Sequence, residues 1–74
     1  ISHHGCKMQD IFELFRQHSD QITIEEMHSD EFDYMICFEN DPEDTYRYCF
    51  KDEGRHIIYH RFLPEDYEEF RFGK

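Results

Sequence analysis

The chain has 74 residues, with eighteen acids against eight Lys and Arg, a formal net charge of −10 and a pI near 4.8. That length predicts one domain with a small core, and the charge argues against direct nucleic-acid binding, because every phosphate would meet net repulsion. No apolar run approaches the roughly 18 residues a membrane span needs, and no secretory hydrophobic region is expected.

Low hydropathy with high charge is the composition of disorder, but eight Phe and five Tyr oppose it. Ala, Val and Trp are absent, so the apolar content is aromatic, Ile, Met and Cys, a set that favours strands. Three cysteines form no closed disulfide framework, which points to a reducing cytosol, that of the protein's own cell or of an infected host.

Residues 1–7 read as an appended remnant or a fraying arm, so a single domain is expected over 8–74. Met8, Ile11, Phe12, Phe15 and His18 recur at helical spacing, with Leu14 flanking the stripe, and predict an amphipathic helix ending near Ser19-Asp20. The period then changes to two, and residues 21–28 read as a first strand, with Ser29-Asp30-Glu31 as a turn. In the second strand Phe32, Tyr34, Ile36 and Phe38 alternate with Asp33, Met35, Cys37 and Glu39. Pro42 pre-sets the backbone of a turn within 40–44. Tyr46, Tyr48 and Phe50 mark a third strand, Asp52-Glu53-Gly54 a three-residue hairpin loop with Gly54 left-handed, and residues 55–62 a fourth. Pro64 followed by Glu65 and Asp66 is a helix N-terminus, although Phe70-Arg71-Phe72 keeps a strand open. The expected fold is α+β: an N-terminal helix on a four-stranded antiparallel meander, then a short C-terminal helix.

Opposed residues of an antiparallel pair point to the same side. A three- or five-residue loop after Phe38 and a three-residue loop at 52–54 put Phe32, Tyr34, Ile36, Phe38, Tyr46, Tyr48, Phe50, Ile58 and Phe62 on one face, under the first helix. The five-residue loop opposes Cys37 to Cys49, and the hairpin pairs Phe50 with His56 and Tyr48 with Ile58. The other face gathers Met35, Cys37, Cys49, Ile57 and Tyr59 inside a charged rim. Read as exposed, it is a seam for a homodimer or another partner.

His56 and His60 have zinc-like spacing, but on a strand they stand about 13 Å apart, and neither metal nor cofactor is expected. No phosphate loop or nucleophile elbow is present, and no enzyme is expected.

The charge is uneven along the chain. Residues 17–46 carry ten acids and no Lys or Arg, whereas Arg47, Lys51, Arg55 and Arg61 follow directly. This predicts a small acidic module that occupies the basic surface of a partner protein, in its sharpest form a nucleic-acid mimic inhibiting a nucleic-acid-handling enzyme, as phage counter-defence and immunity proteins do. Its contacting acids would be Glu25, Glu26, Asp30, Glu31, Asp33, Glu39, Asp41, Glu43 and Asp44. The rival expectation is an adaptor that dimerises through the Met35, Cys37, Cys49, Ile57 and Tyr59 face, its charge serving solubility only.

Overall fold

A computed structural model describes residues 7–73; the sequence expectation for residues 1–6 lies outside that range. The order is α1 (Met8–His18), β1 (Ile22–Glu26), β2 (Tyr34–Phe38), β3 (Arg47–Asp52), β4 (Ile57–Phe62) and α2 (Pro64–Phe72). The strands form one antiparallel sheet in the order β1-β2-β3-β4. No helix among the described residues is long and apolar enough to cross a membrane.

Lys7, which the sequence pattern places in the arm, instead caps α1, its backbone N–H donating to Asp10 Oδ2 at 3.1 Å. The helix lays Met8, Ile11, Phe12 and Phe15 on Ile36 and Phe50, with Ile22, Ile24, Tyr34 and Tyr48 around them. Phe15 stacks on Phe38 at 5.4 Å and meets Tyr48 edge-on at 5.2 Å, so aromatic rings do the packing that Leu and Val do elsewhere.

The hairpin between β2 and β3 keeps the expected faces but shifts the pairing by two residues. Met35, not Cys37, faces Cys49, and Ile36 faces Tyr48. The next hairpin departs further. Asp52 pairs with Ile57, leaving residues 53–56 as a four-residue connection, closed by Glu53 N–H on the His56 carbonyl at 2.9 Å. Gly54 takes its expected positive φ, 92°, within it. One residue more than expected inverts every side chain of β4. Phe50 therefore faces Tyr59 and Tyr48 faces Arg61, which puts Ile57 and Tyr59 on the α1 side. Ile58 and Phe62 move to the other face, against the sequence expectation.

Phe32 also changes sides. The Ser29 hydroxyl accepts its N–H at 3.2 Å, so the chain turns before β2 begins and the ring swings under α2. There it joins Met27, Met35, Cys37, Cys49 and Tyr67, with Phe62 against them, in a second buried cluster. The expected half-exposed outer face is thus a second core, and the sheet is covered on both sides. Met35 is 4% exposed and Cys49 fully buried, so the proposed seam of Met35, Cys37, Cys49, Ile57 and Tyr59 does not exist as one surface. α2 is tied down by Arg71, whose Nη1 donates to Tyr67 Oη at 2.6 Å and to Glu25 Oε1 at 2.8 Å.

If the face under α2 is core, Met35→Ala should cost about 2–5 kcal/mol in urea unfolding. Leu14→Ala, at a position 61% exposed on α1, should stay within about 0.5 kcal/mol. Equal, small losses at both positions would contradict the two-sided core.

Candidate functional site

An antiparallel meander returns each hairpin to alternate ends of the sheet. The acid-rich stretch, which runs through β1, β2 and both flanking turns, is therefore divided. Glu26, Asp30, Glu31 and Asp33 lie at one end, Glu39, Asp41, Glu43 and Asp44 at the other, separated by five-residue strands that span about 17 Å.

Each end is built by its own turn chemistry. At the 39–45 end, Asn40 takes a positive φ of 60°, which its short amide side chain tolerates. The Asp44 N–H bonds the Asp41 carbonyl at 3.2 Å across Pro42, and Asp41 Oδ1 accepts the Glu43 N–H at 3.0 Å. This turn leaves Glu43 exposed and aims the Asp44 carboxylate at Tyr48, whose hydroxyl lies 2.9 and 2.8 Å from its two oxygens. Burial, with that carboxylate second, pushes the Tyr48 phenol well above its usual value, so it stays a donor. Glu39 accepts from the Thr23 hydroxyl and lies 3.8 Å from Cys37 Sγ. Pro64 lines the same loop's groove, so α2 brings Glu65 and Asp66 to this end. The cation Arg47 lines that groove as well, its Nη1 donating to the Thr45 carbonyl at 2.8 Å.

At the opposite end Asp33 Oδ2 accepts the Asp52 N–H at 2.8 Å, and Asp33 Oδ1 lies 3.8 Å from Lys51 Nζ. Glu26 sits 3.6 Å from His28, while Asp30 and Glu31 are exposed.

Of the nine acids predicted to share a role, Glu26 lies beside His28 and the other eight fall into two kinds. Glu25, Asp33, Glu39 and Asp44 hold the fold, through Arg71, the Asp52 amide, Thr23 and Tyr48. Asp30, Glu31, Asp41 and Glu43 have no cationic partner among the described residues. The Asp44–Tyr48 pair carried no sequence signal, because four residues across a turn into a strand have no fixed geometry.

Cys37 and Cys49 are free and buried. Burial holds both thiols up, Cys37 above its ordinary value and Cys49 from 9.0 to about 12. Neither is thereby an activated nucleophile. Among the described residues no three His, Cys, Asp or Glu gather as a metal site.

Compared with known families, residues 1–71 match the family described as "Domain of unknown function, E. rectale Gene description (DUF3877)". The chain belongs to that family. No curated protein and no solved structure matches it.

The raised thiol has a consequence for stability. Cys49 binds its proton more tightly folded than unfolded, so its contribution is complete below about pH 9 and is lost as pH rises toward 12. The urea midpoint should fall between pH 9 and 10, before the tyrosines contribute, and should fall less steeply in Cys49→Ala. An identical slope in the variant would contradict the assignment.

Proposed function

We propose that this DUF3877 protein is a non-catalytic binding module that docks an acidic sheet end on the basic surface of a partner protein. Its sharper form is a nucleic-acid mimic, an inhibitor that competes for that surface, working in the reducing cytosol of its own cell or of a host. The observation that carries the reading is the 39–45 end. Asp41 and Glu43 there lack cationic partners among the described residues, Glu65 and Asp66 add two further acids from the start of α2, and Arg47, which lines the same groove, is in ion-pair range of none of them. A surface with an excess of one sign attracts and orients an oppositely charged partner before contact. The free state of Cys37 and Cys49 is consistent with a reducing compartment.

The test is capture on the immobilised full chain, eluted from about 50 mM to about 500 mM salt, where the screening length falls to about 4 Å. Bound proteins should elute within that gradient, and earlier from Asp41→Asn/Glu43→Gln than from Asp30→Asn/Glu31→Gln. Added duplex DNA should displace them if the mimic form holds. Retention that ignores salt and both variants would overturn the docking reading.

A further inference from the structure

Where the last turn of α1 leaves the sheet, Leu14, Phe15, His18, Phe38, Asp44 and Tyr48 line an open groove of about 280 Å³. The volume suits one side chain rather than a whole cofactor. Its lining is aromatic: Phe15 is stacked with Phe38 at 5.4 Å, Tyr48 meets both edge-on, and His18 lies 5.0 Å from Phe38. Leu14, 61% exposed, leaves an apolar lip at the mouth.

One carboxylate interrupts this apolar lining. Asp44 is fixed by the Tyr48 hydroxyl, which has a single proton to give, whereas a carboxylate accepts about four hydrogen bonds. Among the described residues no Lys or Arg lines the groove. The cations nearest in sequence or register have other contacts: Arg16 lies 3.6 Å from Glu13, Arg47 donates to the Thr45 carbonyl at 2.8 Å, and Arg61, paired with Tyr48 across the sheet, lies over the Tyr46 ring at 4.2 Å. A held carboxylate with spare acceptors beside an aromatic lining matches one side chain best. A guanidinium forms two parallel bonds to a carboxylate and stacks on rings, and its propyl stem is apolar; an ammonium offers neither the fork nor the plane.

We propose that this groove is an arginine socket, which takes a guanidinium-bearing side chain of the partner against the packed Phe15, Phe38 and Tyr48 rings and onto Asp44. This rests on the reading of the 39–45 end as the partner-facing one and adds an anchor of defined chemistry to it.

The probe is N-propylguanidinium, titrated into isotopically labelled full chain and followed by NMR, with propylammonium as the control. Saturable shifts should centre on Leu14, Phe15, His18, Phe38 and Tyr48, with guanidinium binding at least about threefold tighter than ammonium. Asp44→Asn should weaken it by about fivefold or more. Leu14→Ser, at an exposed position that leaves the fold intact, should weaken it about twofold. Equal binding of the two cations, shifts spread over the acidic surface, or undiminished binding by a natively folded Asp44→Asn would overturn the socket. The titration needs no partner, so a silent groove beside salt-sensitive capture overturns the socket alone, and salt-insensitive capture overturns the docking reading alone.

Discussion

The structure depends on β2 being buried on both faces. Met35, Ile36, Cys37 and Phe38 are successive residues, alternately directed to opposite sides, and all four are buried. A strand in that position needs a cover on each side, and α1 and α2 supply them. It also leaves no room for charge at the centre of either face, where an unpaired carboxylate would cost several kcal/mol. A chain with eighteen acids must then place them on edge strands, turns and the outer sides of helices. Division of the acid-rich stretch between the two ends of the sheet follows from the core rather than from any separate requirement.

Much of this fold is legible in the sequence, and the misses have physical causes. The stripe Met8, Ile11, Phe12, Phe15 repeats with a helical period, and Tyr34, Ile36, Phe38 and Tyr48, Phe50 with a strand period, so both are read directly. The turn at Pro42 and the left-handed Gly54 follow from local backbone preference. Loop length is different in kind. Asp52-Glu53-Gly54 serves a three- or a four-residue connection equally well, yet the choice decides which face Ile57, Ile58, Tyr59 and Phe62 occupy. The second core is hard to foresee because α2 buries only Tyr67, and the rest is assembled from Met27, Phe32 and Phe62 on three separate segments.

The acids divide along the same line. A run without Lys or Arg is visible in the sequence, but whether a given carboxylate is used by the fold depends on its partner, and those partners are remote: Arg71 for Glu25, Thr23 for Glu39, the Asp52 amide for Asp33. With these, with Asp44 on Tyr48 and with Glu26 beside His28 set aside, Asp30, Glu31, Asp41 and Glu43 remain, carboxylates without a cationic partner among the described residues. A self-repelling charge that serves no interaction within the chain is a cost to the compact state, and the proposed recognition of a basic partner is a role in which that cost would be offset.

The most direct measurement of this division is the urea stability of the fourfold variant Asp30→Asn, Glu31→Gln, Asp41→Asn, Glu43→Gln. The amide oxygen introduced at position 41 can still accept the backbone N–H of residue 43, so the turn keeps its hydrogen bond. With the repulsion relieved and the core and turns intact, the variant is expected to be as stable as the parent or more stable at low salt, and the difference should shrink as salt is added. A loss of more than about 1 kcal/mol would show that these acids hold the fold together, and would contradict their assignment to a partner.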